Sequence, residues 1–399
     1  LSAIDYSPFA MRYLLSAIRS QLLALRMKVL YVYKDYFPVL GGIENHIKLL
    51  AEGMAARGVS VQVLVTNTTW RTIREKRNDV PIIKAGRLAN ISSAPLSLAL
   101  FWELNRLRPD IAHLHAPYPI GELAQLWGGH ARKIVVTYHS DIVRQKYLRI
   151  GYHPFLKQLL ARADAISISN PTYPQLSPFV APHAHKCIVI HHGANLSRFA
   201  PTPQSQARAQ AIRAEHDNLP LILFVGRLRY YKGLENLIAA MSQVTNARAL
   251  IVGTGPMAAT WQALAQTLNV TERVRFVGNV PDDDLPAYYQ AARMFVLPST
   301  HSSETWGAVQ IEAMASGLPC ICTELGTGTS YVNQHGVTGL VTPPREPTAL
   351  AQAINTLLTD EPLRQRLGQA AHARAWNEFT HTAMVEQTHK LYESLVASD

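Results

Sequence analysis

Short apolar runs that end in polar or small residues alternate along the chain with longer stretches of three-to-four spacing. From Met27, KVLYVY predicts a strand, KDYFPVLGG a loop, IENHIKLLAEGMAARG a helix and SVQVLVTN a second strand. This strand–loop–helix–strand order opens a doubly wound parallel sheet. PDIAHLHA, KIVVTYHSD, DAISISN and KCIVIHHGA add further strands, and their polar ends mark the carboxyl edge where such sheets hold ligands. At residues 191–203, HHGANLSRFAPTP breaks the pattern with Gly, Asn and Pro and predicts an inter-domain linker. A second sheet then begins with LPLILFVGRLRYYKGLENLIAA and continues through ALIVGTGP, VRFVGN, MFVLPST, PCICT and GVTGLVTPP. The closing helices carry Leu357, Leu367 and Trp376, then Phe379, Val385, Tyr392 and Leu395, and the last is expected to cross back and brace the first domain. The division read from this pattern is residues 1–26, 27–195, 196–376 and 377–399.

Residues 1–26 stand apart. Leu15, Ile18, Leu22 and Leu25 make an apolar stripe, while Arg12, Arg19 and Arg26 recur on a polar side. The run is too charged to span a bilayer and has no signal-peptide cleavage pattern. An interfacial helix, a helix docked on the body and a translated leader ahead of Met27 all fit it. Elsewhere no apolar stretch is long enough to span.

Composition adds little until charge is divided by region. A length of 399 residues with 48% apolar and 17% charged content describes a soluble chain of two or three domains. The three cysteines, Cys187, Cys320 and Cys322, form no CxxC pair, so a reducing, cytoplasmic setting is expected, peripheral to the membrane at most. Residues 1–195 hold 23 Lys and Arg against 11 Asp and Glu, or +12, whereas residues 196–399 hold 15 against 17, or −2. The basic half suits an anionic membrane surface, a lipid-phosphate acceptor or an anionic polymer, or is simply a soluble face. Nucleic acid is excluded as the expected partner, because no aromatic-interleaved basic stripe accompanies the charge.

The richest chemistry lies in residues 299–319, STHSSETWGAVQIEAMASGLP. Glu304 and Glu312 stand eight positions apart, about 80° of helical rotation, so they do not share a face of one helix. The spacing works if Glu304 lies in the loop and Glu312 two turns inside a helix that ends at Gly317. Free amides near Gly307, Ala308 and Val309 would then seat a phosphate between two carboxylates able to grip hydroxyls. A nucleotide-diphosphate sugar has that shape. Gly41-Gly42, at the mouth of the first helix, lets backbone amides approach a ligand. Gly226, Arg227 and Lys232 follow a strand and place two cations among glycines, suited to a diphosphate. His139 ends a strand at the expected crevice; a plain hydrogen-bonded histidine is the alternative there. His113 and His115 resemble a metal pair, but no third ligand stands nearby in sequence. PDDDLPAYYQAA resembles an aspartate-rich metal motif, yet a helix capped by Asp with Pro286 in its first turn accounts for it. No metal site is expected.

The succession Gly41-Gly42, TYHSD, HHGANLSRF, VGR…KG, VGTGP, VRFVGNV, VLPS and the Glu304/Glu312 pair resembles the retaining glycosyltransferases of the GT-B fold, family 4, from Met27 to the C-terminus. HLHAPYP, YHSDIVRQK and ELGTGTSYVN resemble members that assemble bacterial surface polysaccharides, many of them mannosyltransferases. The resemblance implies an α/β architecture of two Rossmann-like, doubly wound domains facing a central cleft. It also implies transfer of a hexose from a nucleotide-diphosphate sugar, GDP-mannose favoured and UDP-sugars next, to a glycan or lipid-linked acceptor. By the same resemblance Arg227 and Lys232 hold the diphosphate, helped by amides at Gly42 and Gly307–Val309. Glu312 takes the ribose hydroxyls, Glu304 and His139 the transferred sugar, and Asn279-Val280 the base. Where the family often carries Gly-Phe-Gly, this chain has Thr305-Trp306-Gly307, whose bulk would alter how the sugar is held. No cofactor or metal is implied, and no residue is set as a covalent nucleophile, so retention by same-face substitution is expected. A nucleotide-sugar 2-epimerase of the same fold and a non-catalytic partner in polysaccharide assembly are the competing readings. A nicotinamide oxidoreductase is excluded because no G-x-G-x-x-G opens the first strand–helix unit.

Overall fold

The computed structural model describes residues 27–39, 41–91, 94–140 and 146–397. The reading of residues 1–26 lies outside them, as do residues 141–145 of the YHSDIVRQK stretch. The chain forms two compact units: one runs to Gly193 and adds the segment from His381 onward, the other runs Ala194–Thr380. The crossings therefore fall at 193/194 and 380/381, a few residues from the divisions that composition indicates.

In the first unit the strands are β1 (Lys28–Val32), β2 (Ser60–Thr66), β3 (Ile73–Arg77), β4 (Val80–Ala85), the small hairpin β5 (Ala89–Ile91) and β6 (Ala94–Leu96), β7 (Ile111–Ala116), β8 (Lys133–Tyr138), β9 (Ala165–Ile168) and β10 (Cys187–Val189). Eight of them make one sheet in the order β10-β9-β8-β7-β1-β2-β4-β3. Every pairing is parallel except β3 with β4. That hairpin is absent from the strand reading of the sequence. Asn78 and Asp79 make its turn at φ 46° and 65°, the left-handed geometry a tight hairpin needs. The strands β1, β7 and β8 are buried on both faces, which is why they read as continuous apolar runs. Strand order reverses between β1 and β7, and ligands of such sheets bind outside the carboxyl ends at that point.

The helix Gly42–Ala56 lies on this sheet and receives the helix His381–Ala397. Gly53 makes the approach possible: a Cβ there would stand 2.4 Å from Val385 Cγ2. Arg57 pairs with Glu386 at 2.8 Å, and the Tyr392 hydroxyl donates to the Tyr31 hydroxyl at 3.1 Å beneath them.

The second unit has one sheet of six parallel strands: β11 (Leu221–Val225), β12 (Arg248–Val252), β13 (Val274–Gly278), β14 (Met294–Leu297), β15 (Cys320–Thr323) and β16 (Gly339–Thr342). Their order is β13-β12-β11-β14-β15-β16, so the reversal falls between β11 and β14. Cys320 and Cys322 are core residues, and burial pushes the Cys322 thiol up to about 12. One capping expectation is corrected: Asp284 occupies the N-cap position of the helix Leu285–Ala291 but accepts no capping bond, because its backbone is itself helical, at φ −87° and ψ −21°. Pro286 does sit in the first turn, leaving the helix start intact.

Candidate functional site

The reversal point of the second sheet gathers the charged residues. After β11 the chain passes Gly226, Arg227 and a single turn, Tyr230–Lys232, before Gly233 starts the helix Leu234–Ala240. Gly233 is held at φ 63°, and a Cβ on it would meet the Pro298 carbonyl oxygen at 2.2 Å. Both facts demand glycine, and together they press this loop against the one after β14. There Thr300 N–H donates to the Tyr231 carbonyl at 2.9 Å. The packing delivers the Lys232 ammonium to Glu304: Nζ lies 2.6 Å from Oε2, with the side chains only 9% and 10% exposed. Ser299 Oγ donates to the same carboxylate oxygen at 3.0 Å. Thr327 Oγ1 and Gly328 N–H fasten the carbonyls of Glu304 and Thr305 at 2.8 Å each, so the loop ELGTGTS clasps the turn.

Glu304 thus lies in the loop, and Glu312 lies inside the helix Ala308–Ala315, as the eight-residue spacing requires. Gly307 at φ 67° precedes that helix and Gly317 at φ 82° follows it. The amides of Ala308 and Val309 open the helix, where a positive partial charge favours an anion. Glu312 accepts from the Tyr289 hydroxyl at 2.9 Å. Burial raises its carboxyl above the usual range, against the lowering pull of that hydroxyl and of Arg198. Arg198 also donates to the Asp282 carbonyl at 2.6 Å, which ties the segment after Asn279-Val280 to the surroundings of Glu312.

Other predicted residues are placed differently. Arg227 is exposed and has no side-chain hydrogen bond or ion pair among the described residues. Gly226 lies under Lys232, since a Cβ there would stand 3.7 Å from Nζ. Thr305 is exposed, but Trp306 is corrected: it is 6% exposed and turned into the core, edge-on to Phe379 at 5.8 Å and tilted on Tyr331. Burying an indole there is favoured over offering it to a polar ligand. Its bulk is therefore absorbed by packing.

In the first unit, Gly41 is extended and Gly42 begins the helix Gly42–Ala56. A Cβ on Gly41 would meet only the movable end of the Glu44 side chain, with Oε2 at 2.0 Å, and Gly42 has open space around it. His139 follows β8, anchored by its N–H to the Ala116 carbonyl at 2.9 Å, and is 7% exposed. Its Nε2 lies 3.0 Å from His115 Nδ1. His113 and His115 part company in the fold. His113 Nδ1 meets the Tyr392 hydroxyl at 2.5 Å and Nε2 meets Thr137 Oγ1 at 2.6 Å, a satisfied core histidine. His115 instead groups with His46 and His139, the neighbours that sequence distance hides. Burial, reinforced by neighbouring imidazoles, holds His46, His115 and His139 well below the ordinary histidine range. Arg198, Tyr289, Ser299 and His46 were not singled out from sequence. Only the apolar-helix position of His46 beside Gly41-Gly42 offered a local signal.

Comparison with known proteins agrees with this geometry. Residues 40–198 match the family description Glycosyltransferase Family 4, and residues 205–374 match Glycosyl transferases group 1. The chain is 35% identical to an O-antigen chain mannosyltransferase of Escherichia coli over 93% of this chain and 100% of that one. It is also 35% identical to a D-rhamnosyltransferase of Pseudomonas aeruginosa over 89% and 92%. Sucrose-phosphate synthase from Thermosynechococcus elongatus superposes with a TM-score of 0.72 at 26% identity, over 94% of this chain and all of that one. With relatives of that identity matched over nearly their whole length, the chain belongs to the glycosyltransferases of family 4, built on the GT-B fold.

Proposed function

We propose that the protein moves a hexose from a nucleotide-diphosphate sugar to a glycan or lipid-linked acceptor during surface-polysaccharide synthesis, with retention of anomeric configuration. The observation that carries this is the buried Lys232–Glu304 pair at the reversal point of the second sheet, next to a free helix start. A buried ammonium and carboxylate at that position supply what the donor's two ends need: a cation for diphosphate and an acceptor for sugar hydroxyls. Arg227, exposed and without a side-chain partner among the described residues, is a second cation for the phosphates, and the amides of Gly307–Val309 and Gly42 share the charge. Glu312, oriented by Tyr289, takes the ribose diol. The segment Asn279-Val280 meets the base, and His139 holds a hydroxyl of the transferred sugar. GDP-mannose is the favoured donor because the two relatives are a mannosyltransferase and a rhamnosyltransferase; UDP-sugars come next.

As the glycosidic bond to phosphate lengthens, negative charge grows on the leaving diphosphate and positive charge on the sugar. Lys232, Arg227 and the helix amides stabilise the first without a metal on the phosphates. The leaving phosphate takes the acceptor hydroxyl proton on the face it vacates, so the acceptor enters on that same face. The surplus of +12 in residues 1–195 supports contact with an anionic membrane surface. Among the described residues no helix is long and apolar enough to cross a membrane.

A screen of GDP- and UDP-sugars with lipid-linked acceptors tests the reading, with product anomers assigned by NMR. GDP-mannose is expected to give a retained linkage, and binding to anionic vesicles is expected to weaken with salt. An inverted product, or turnover abolished by chelation and restored by Mg²⁺ or Mn²⁺, would overturn the mechanism. Donor incubated alone separates transfer from 2-epimerisation.

A further inference from the structure

We propose that His46, His115 and His139 form a binding site for a borderline divalent metal ion of the Zn²⁺ or Co²⁺ type. One ring nitrogen from each lies within 4.8 Å of the other two, and all three residues are buried. The rings come from three separate elements: the helix Gly42–Ala56, the strand β7 and the residue following β8. Their centroids form a nearly equilateral triangle of 5.5, 5.3 and 5.3 Å. A metal held at about 2.0–2.1 Å by imidazole nitrogens lies about 3.2 Å from each ring centre, so tetrahedral ligands place the centres about 5.2 Å apart. The triangle matches that spacing, and a shared ion needs only side-chain rotation: the His115 and His139 rings turn out of their mutual Nδ1–Nε2 hydrogen bond at 3.0 Å so that both nitrogens face the metal.

The rings are also chemically prepared. His46 Nδ1 is buried and has no hydrogen-bond partner among the described residues, a state that calls for an explanation. His115 Nδ1 and His139 Nε2 already face each other at 3.0 Å, close to the separation of two nitrogens on one tetrahedral ion. Burial and mutual repulsion keep the imidazoles neutral, which is the form that ligates. Three histidines with no carboxylate among them suit Zn²⁺, Co²⁺, Ni²⁺ or Cu²⁺ and disfavour Mg²⁺ or Ca²⁺, which take oxygen ligands. His192 lies 4.9 Å from His46 and 5.2 Å from His139, ring to ring, and closes one side of the cluster. Three protein ligands leave a fourth position for water or a sugar hydroxyl. The consequence for turnover rests on the reading that His139 contacts the transferred sugar: an ion that captures His139 competes with that contact. The ion is then an inhibitor of transfer, separate from the charge stabilisation at Lys232 and Arg227.

The test uses the full chain stripped with chelator and titrated with CoCl₂. Expected is one Co²⁺ per chain with the intense visible bands of four-coordinate cobalt, a raised thermal midpoint, displacement by Zn²⁺ and none by Mg²⁺. His46→Gln and His115→Gln should each weaken binding more than about 10-fold, while His372→Gln, at an exposed position, should leave it unchanged. Circular dichroism and the thermal unfolding of the metal-free chain report whether each variant remains folded. Absence of a stoichiometric cobalt spectrum in the wild-type chain would overturn the proposal, as would equal binding by folded forms of the two cluster variants. Because the readout is the metal's own spectrum, either result is independent of whether the chain transfers a sugar.

Discussion

At the reversal point of the first sheet, His46, His115, His139 and His192 pack ring against ring, with His113 stacked on His115. At the reversal point of the second, a lysine and a glutamate meet at 2.6 Å. Both centres are polar and buried, yet they solve the desolvation problem in opposite ways. Imidazoles avoid it by staying neutral: burial moves His113 down to about 3 and His192 to about 4, and the other three well below 6.5. The ion pair keeps both charges and offsets their desolvation with each other. A neutral cluster is undisturbed at neutral pH but vulnerable to protons and metal ions. A charged pair is ready to exchange its partner for a charged ligand.

The sharpest way to break the contrast is to remove one charge. Lys232→Ala is expected to lower kcat/KM for transfer by about 10²–10³-fold, as loss of one preorganised donor does. It should also destabilise the second unit by about 3 kcal/mol, because Glu304 is left buried and unpaired. Steady-state kinetics and denaturant unfolding measure the two effects. The double variant with Glu304→Gln should recover part of the stability and none of the activity.

Acid attacks the other centre. In the unfolded chain these histidines titrate near 6.5 and in the folded unit much lower, so below pH 6.5 the unfolded chain takes up protons that the folded unit refuses. Their contribution is whole above pH 6.5 and is lost progressively as pH falls below it. At pH 5.5 each histidine removes up to about 1.4 kcal/mol. Glu122 opposes this. Burial pushes its carboxyl up to about 7 from 4.5, so the folded unit holds a proton between those values and gains as pH falls. One carboxyl does not balance five imidazoles, and chelator-treated protein should unfold in its first unit several kcal/mol more easily at pH 5.5 than at pH 7.5. Tryptophan fluorescence can follow each unit, since Trp70, Trp102 and Trp127 lie in the first and Trp261, Trp306 and Trp376 in the second. Equal acid sensitivity in the two units would erase the distinction.

Smaller changes refine the second centre. Gly233→Ala should cost about 1–3 kcal/mol through its left-handed backbone and the collision with the Pro298 carbonyl. It should reduce activity by displacing Lys232. Tyr289→Phe removes one hydrogen bond to Glu312 and should cost about 1 kcal/mol. If Glu312 takes the ribose diol as proposed, a rise in donor KM with little change in kcat is expected, because that contact would be made equally before and during transfer.

Much of this architecture is legible in local sequence. Apolar runs and helical spacing locate the strands, and Gly307 and Gly317 bracket a helix that puts Glu304 and Glu312 in different structural contexts. Strand propensity, helix period and left-handed glycines are properties of a few neighbouring residues, so a linear reading captures them. The hairpin of β3 and β4 was also written locally, in Asn78-Asp79, and passed over because β3 is polar and exposed at the sheet edge.

The partnerships are of another kind. Lys232 meets Glu304 across 72 positions because β11 and β14 are neighbours and Gly233 lets their loops touch. His115 joins His46 and His139 because β7 lies beside β8 under the first helix, while His113, two residues away, is claimed by Tyr392 from the far end of the chain. Trp306 turned inward for the same reason: Phe379 and Tyr331 stand ready to cover it. Sequence by itself determined which residues carry charge, ring nitrogens or left-handed backbone, and where the elements begin and end. Only the assembled sheets decided which of those groups share a site, because strand order sets distances that the sequence interval does not contain.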